Sequence, residues 1–247
     1  MGDIRFDGRV AIVTGAGGGL GREHALLLAS RGAKVVVNDL GGGTDGTGAS
    51  AGPAEQTAKE IEDLGGVAVA DANTVATVSG GQAIVDTALE AFGRVDIVIS
   101  NAGILRDKAF HNLTPELLDP VLDVHLRGAF HVIRPAWVTM REAGYGRVLV
   151  TASNAGILGN FGQSNYGAAK MGLVGLARVL AQEGARHNIK ANVLAPIART
   201  RLTEGYANPA LTPEDVRDHV GEIRDQAGYS VPSGVADELS GLLERLR

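Results

Sequence analysis

Tyr166 and Lys170 stand four residues apart in a stretch with helical spacing, so their side chains share one face of the turn. A free tyrosine titrates near about 10, some three units too high for a base at neutral pH, and each unit corresponds to about 1.4 kcal/mol. A neighbouring ammonium favours the phenolate, and Lys170 is placed to lower the Tyr166 hydroxyl in that way. Ser153, at the end of the β-branched run RVLVTA (147–152), can hydrogen-bond a substrate oxygen on which charge develops. Together the three side chains would exchange a proton with an alcohol or carbonyl oxygen. Each also has a plainer explanation. A Tyr-x-x-x-Lys pair seen alone is more often a surface pair, Ser153 could cap the segment after it, and the flanking Thr151 is a rival hydroxyl.

A second constellation lies near the N-terminus. The run VAIVT (10–14) is followed by Gly15-Ala16-Gly17-Gly18-Gly19-Leu20-Gly21 and then a helical pattern. Gly15 permits a tight turn, Gly19 lets backbone approach a pyrophosphate, and Gly21 lets the helix pack close on the strand with its first amides facing the anion. A flexible turn is the bland alternative, but the strand before, the helix after and an acid some twenty residues on favour a phosphate cradle. That acid is Asp39, at the end of KVVVND (34–39). Its carboxylate can accept both ribose hydroxyls of NAD and would repel the 2′-phosphate of NADP. A turn or capping aspartate is the alternative, but no arginine follows within the next several residues to neutralise an added phosphate.

The elements that must position these groups follow from the apolar pattern. Short runs at 10–14, 34–39, 67–70, 95–100, 147–152 and 190–195 are almost continuously apolar, which marks strands buried on both faces. Helical stretches at 20–31, 53–64, 80–92, 115–143 and 164–186 alternate with them, with Ser164 as a candidate cap for the last. Repeated βα order predicts an α/β fold with a doubly wound parallel sheet of the Rossmann kind, with ligand at the carboxyl ends of the strands. Residues 40–52, with six glycines, predict a mobile loop that lies over an adenosine or stays in solvent. Beyond Pro196 the βα pattern stops, and 211–226 and 231–247 predict two amphipathic helices with no seventh strand. The expected division is a domain over 1–203 and a helical segment over 204–247.

Composition narrows the function classes. The 247 residues include no cysteine, which excludes a disulfide framework, a thiolate nucleophile and Cys-ligated metal, so redox chemistry needs a borrowed cofactor. A net charge of −5 argues against a nucleic-acid partner. No apolar stretch is long enough for a membrane helix, and MGDIRFDGRV lacks a signal-peptide core, so the expectation is a cytoplasmic protein with no membrane partner. The histidines show no ligand spacing, and no metal site is expected.

The glycine turn, Asn101-Ala102-Gly103 after the fourth strand, Ser153 after the fifth and Tyr166-x-x-x-Lys170 together resemble the short-chain dehydrogenase/reductase family over about residues 6–203. More narrowly, NDLGG (38–42), NAGILRD (101–107), VHLRGAF (124–130) and GNFGQSNY (159–166) resemble the (3R)-hydroxyacyl-CoA dehydrogenase module of peroxisomal multifunctional enzymes and its bacterial relatives. The resemblance implies a nicotinamide cofactor and hydride transfer between it and a secondary alcohol or ketone, here an acyl-CoA substrate, with Tyr166 exchanging the proton. It decides for Ser153 over Thr151. It implies cofactor contacts from Gly15, Gly18, Gly19, Leu20, Gly21, Asp39, Asn101, Ala102, Gly103, Tyr166 and Lys170, and from Pro196, Ile197 and Thr200 at the carboxamide. Asn73 matches an aspartate that touches the adenine amino group, and its amide oxygen can accept the same bond. His125 matches a helix asparagine that holds a relay water; either the histidine holds that water or it is a buried structural residue. The family also implies a homodimer or homotetramer, one contact being built by the helices at 115–143 and 164–186. The stretch after Pro196 is short of a substrate lid and a seventh strand, which reads as an internal deletion. That keeps open a steroid or sugar substrate, and a non-catalytic NAD-binding protein.

Overall fold

The computed structural model describes residues 4–196. Six parallel strands form one sheet in the order β3-β2-β1-β4-β5-β6: β1 (Val10–Thr14), β2 (Lys34–Asn38), β3 (Val67–Asp71), β4 (Ile97–Ser100), β5 (Gly146–Thr151) and β6 (Ile189–Leu194). The order reverses between β1 and β4, which is where such sheets open a ligand crevice at their carboxyl ends. The predicted doubly wound Rossmann sheet of six strands is therefore present.

Strand alternation sorts the core into two layers. Val10 and Ile12 point to one face with Ile84, Val132, Met140 and Leu173; Ala11 and Val13 point to the other with Ala25, Leu28, Ala58 and Ile61. The first layer is roofed by α3 (Val78–Phe92), α5 (Gly128–Ala143) and α7 (Ser164–Gly184), the second by α1 (Gly19–Ser30) and α2 (Gly52–Asp63). At the amino ends of the strands Asp96 is fully buried and accepts bonds from Arg9, Arg94 and the Val10 amide, locking β1 to β4 away from the crevice.

Three expectations change. The helix predicted over 115–143 is divided: α4 (Pro115–Leu122) runs into a π-helical turn at Asp123–Arg127 before α5 begins. Residues 40–52 are not a free loop. Gly43 N–H donates to Thr47 O (2.7 Å), Ser50 N–H to Leu40 O (2.8 Å) and Leu105 N–H to Thr44 O (2.9 Å), while Arg106 Nε reaches Asp45 O (2.8 Å). Finally, Ser164 opens α7 rather than capping it; Gln163 holds the cap position, and Asn165 Oδ1 takes the Tyr166 amide instead (2.8 Å). A short helix, α6 (Asn154–Ile157), was not expected. The proposed helices at 211–226 and 231–247, the absence of a seventh strand and the boundary at 203 all lie outside the described residues.

Candidate active site

The glycine turn is dictated by space. Gly15 has φ +66°, and a Cβ there would stand 2.8 Å from the Ala102 backbone; a Cβ at Gly21 would meet Gly15 O at 2.1 Å. Only glycine lets β1, α1 and the start of the 101–103 segment come this close. The Thr14 hydroxyl fastens the same junction, accepting the amides of Asn101 (3.0 Å) and Ala102 (3.1 Å), and Asn101 Nδ2 donates to Thr14 O (3.1 Å). Among the described residues α1 has no side-chain cap and no acid in its first turn, which leaves its leading amides to an anion. A cleft of about 690 Å³ opens directly above, with Gly15, Gly18, Gly19, Leu20, Asp39, Asn73, Asn101, Ala102, Gly103, Ser153, Tyr166, Lys170 and Pro196 in its walls. The predicted Ile197 and Thr200 lie outside the described residues.

Asp39 sits where the ribose of a dinucleotide would arrive, one strand from the glycine turn. Its two carboxylate oxygens accept the amides of Gly17 (2.8 Å) and Gly41 (2.7 Å), which fix the group at the cleft wall. The close-packed turn, the uncapped helix and the held carboxylate form a run of donors and acceptors that suits a dinucleotide.

At the other end of the cleft the reactive side chains converge. Ser153 caps α6, its Oγ accepting the Ala155 amide (3.2 Å), and it hydrogen-bonds the Tyr166 hydroxyl. The rival Thr151 is turned away: its hydroxyl donates to Asn101 Oδ1 (3.3 Å), and its carbonyl accepts Lys170 Nζ (2.5 Å). Lys170 Nζ lies 5.4 Å from the centre of the Tyr166 ring. His125 meets the same ring edge-on at 5.1 Å.

The electrostatics correct the sequence argument. Burial pushes the Tyr166 hydroxyl above its ordinary value; the Ser153 bond pulls it back and the charge of Asp107 adds to the rise. Burial brings Lys170 itself to about 7, so near that pH the ammonium beside Tyr166 is partly neutral. A partly neutral lysine supplies less field than the bare spacing implies.

His125 stands inside the π-helical turn, a distortion that recurs at functional sites. It is buried, and burial, with the Lys170 charge beside it, drives it well below its ordinary value, so the ring is neutral. Its Nε2 lies 3.0 Å from Ile104 N and 2.8 Å from Ile104 O, while Nδ1 is buried with no partner among the described residues. A Cβ at Gly103 would stand 2.4 Å from the ring, so that glycine makes room for the imidazole.

Several positions escaped sequence reasoning. Segment 104–108 is a hub: besides its bonds to the 40–52 loop, Arg106 Nη1 donates to Glu116 O (2.7 Å) and Arg106 O accepts Asn165 Nδ2 (2.9 Å). Gln163 Nε2 donates to Asp107 Oδ2 (2.8 Å), and Lys108 N–H to Gly162 O (2.7 Å). The sequence signal was only the polar run LRDK beside NAG.

The sequence profile of the short chain dehydrogenases matches residues 9–208. A Mycobacterium tuberculosis protein assigned by name to the short-chain type dehydrogenases/reductases is 55% identical over 235 residues, covering 92% of this chain and 82% of that one. The peroxisomal hydratase-dehydrogenase-epimerase of Saccharomyces cerevisiae is 52% identical over 208 residues, 84% of this chain but only 23% of the yeast protein. Among solved structures, a short chain dehydrogenase from Mycobacterium avium superposes with a TM-score of 0.77 at 40% identity, covering 98% of this chain and 96% of that chain.

Proposed function

This chain belongs to the short-chain dehydrogenase/reductase family and is by that membership an oxidoreductase; from that premise we propose that it is an NAD-dependent dehydrogenase of 3-hydroxyacyl thioesters. The observation that carries the reading is the meeting of Ser153, Tyr166 and Lys170 at one end of a cleft whose other end is walled by Asp39. The acyl substrate is supported by the likeness of residues 101–107 and 159–166 to the hydroxyacyl-CoA group, and by a relative whose name joins a hydratase to a dehydrogenase.

A bound nicotinamide ring supplies the hydride acceptor or donor and, when oxidised, a positive charge. The chain's own groups do the rest. Tyr166 Oη takes the hydroxyl proton of the alcohol, or returns it to the ketone oxygen in reverse. Ser153 Oγ hydrogen-bonds that same oxygen as its charge changes. Lys170, held by Thr151 O, stabilises the phenolate in proportion to how far it is protonated. Asp39 offers its remaining lone pairs to the ribose hydroxyls, and its charge repels a 2′-phosphate. Asn101, Ala102 and Gly103 bring backbone under the same ligand. Copies of the chain pair through α5 and α7, which leave Phe130, Val138, Met171 and Val179 exposed. Among the described residues no helix is long and apolar enough to cross a membrane.

The test is turnover of (R)-3-hydroxyacyl-CoA with NAD or NADP by wild type, Tyr166→Phe and Asp39→Ala. Wild type should prefer NAD, Tyr166→Phe should lose about 10²-fold or more in kcat while still binding NAD, and Asp39→Ala should narrow the coenzyme preference. Thermal stabilisation by NAD without turnover on any alcohol would reject the enzymatic reading.

A further inference from the structure

The base of the coenzyme has a recognition element whose hydrogen-bonding sense is set from behind. Along the carboxyl edge of the sheet the glycine turn follows β1, Asp39 follows β2, and Asn73 follows β3; Asn38 and Asp71 are paired in register at the ends of the last two strands. A dinucleotide with its pyrophosphate at the first and its ribose at the second places its purine at the third. Asn73 is exposed to the cleft there.

A primary amide can present either a donor or an acceptor, and it would read a 6-amino and a 6-oxo purine equally well if free to turn over. Asp71 removes that freedom. Its carboxylate is buried and surrounded by four donors: Asn38 Nδ2 (2.7 Å) and Asn73 N–H (2.9 Å) on Oδ1, Asn73 Nδ2 (2.8 Å) and the Thr87 hydroxyl (2.8 Å) on Oδ2. A carboxylate so surrounded only accepts, so the atom of the Asn73 amide that faces it is the NH2 group. Asn38 Nδ2 also donates to Asn73 O (2.8 Å), which fixes the backbone of the same residue. Turning the amide over would set its oxygen against a buried carboxylate oxygen. Asn73 Oδ1, which takes no bond from the described residues, is therefore left as an acceptor toward the cleft.

We infer that Asp71 is a positioning residue that locks Asn73 as a hydrogen-bond acceptor and so makes the coenzyme site selective for a 6-amino purine over a 6-oxo purine. Adenine offers a donor at that position and hypoxanthine a carbonyl. The inference rests on the NAD reading above, and it concerns a residue that touches no reacting atom.

The test is binding, measured by calorimetric titration of NAD and of nicotinamide hypoxanthine dinucleotide into wild type, Asp71→Asn, Asn73→Ala and the exchanged pair Asp71→Asn with Asn73→Asp. Wild type should bind NAD tighter than the 6-oxo analogue by on the order of tenfold, the worth of one bond replaced by two opposed acceptors. Asp71→Asn frees the amide to turn, and Asn73→Ala removes it; both should bring the ratio severalfold closer to one. The exchanged pair presents a carboxylate, an obligate acceptor, held by an amide NH2 behind it, and should restore the ratio. That rescue separates orientation from loss of fold, as does Asn73→Ala, which leaves the buried network of Asn38, Asp71 and Thr87 in place. An unchanged ratio in Asn73→Ala, or in an Asp71→Asn protein that still binds NAD, overturns the inference while leaving the NAD reading intact. A wild type that binds neither dinucleotide overturns both.

Discussion

Lys170 is held at a cost to the coenzyme-free fold, and replacing it by methionine should expose that cost. The side chain is 3% exposed, its Nζ donates to Thr151 O, and burial brings it from 10.5 to about 7. Between those two values the unfolded chain keeps a proton that the folded chain has released. Stability therefore rises with pH across the window from about 7 to 10.5, and the full penalty applies below it. At about 1.4 kcal/mol per unit the penalty is on the order of 5 kcal/mol. Loss of the bond to Thr151 O returns about 1 kcal/mol. In urea unfolding at pH 6.5 without coenzyme, Lys170→Met should thus be more stable than wild type by about 4 kcal/mol, while losing turnover. At pH 9.5 most of that advantage should be gone, because the wild-type lysine then folds neutral and methionine has no proton to release. Other titrating groups are common to both proteins, and His125, on which the Lys170 charge also acts, is lowered first by burial, which both share, so the difference reports chiefly on position 170. A stability gap that does not change between the two pH values, or a variant less stable than wild type at pH 6.5, would refute the reasoning.

Other perturbations test the scaffold. Gly21→Ala puts a methyl 2.1 Å from Gly15 O, so α1 must back away from the turn; thermal melts should show a loss of about 1–3 kcal/mol, and NAD affinity measured by titration should fall at least tenfold. Arg106→Gln removes the guanidinium that ties Asp45 O to Glu116 O. Amide exchange across residues 40–52 should quicken and KM for NAD should rise severalfold, with a smaller effect on kcat. Val138→Glu combined with Val179→Glu places carboxylates on the exposed apolar stripe of α5 and α7; light scattering should show a smaller species than wild type at equal concentration.

What the sequence revealed was the part of the molecule governed by local rules. Strand alternation, the glycine turn and the Tyr166-x-x-x-Lys170 spacing each act over a few residues, and the six-stranded parallel sheet and the cleft-lining glycines followed from them. The failures share the opposite property. Residues 40–52 look like a linker because six glycines hold no shape alone; what pins them is Leu105 and Arg106, some sixty residues on. The π-helical turn at Asp123–Arg127 sits in a run whose apolar spacing is ordinary for a helix. The depressed Lys170 depends on burial contributed by distant segments, which no spacing encodes.

The same contrast explains how the site is held to a working geometry. Ser153, the cap of α6, and Tyr166, in the first turn of α7, come from different elements, and neither motif contains anything that sets the distance between them. Close packing of Gly156 in α6 against Gly167 and Met171 in α7 sets it, and the 101–108 segment braces the entry to α7. It takes the Thr14 hydroxyl at the glycine turn, the His125 ring in the π turn, and Gln163 and Asn165 on either side of the entry to α7. Through Leu105 and Arg106 it also carries the loop that borders the cleft beside Asp39. A shift in that loop is therefore transmitted by hydrogen bonds to the backbone that presents Tyr166. The Arg106→Gln prediction rests on this connection, and the turn and the tyrosine pair, which read as separate motifs along the chain, share one support.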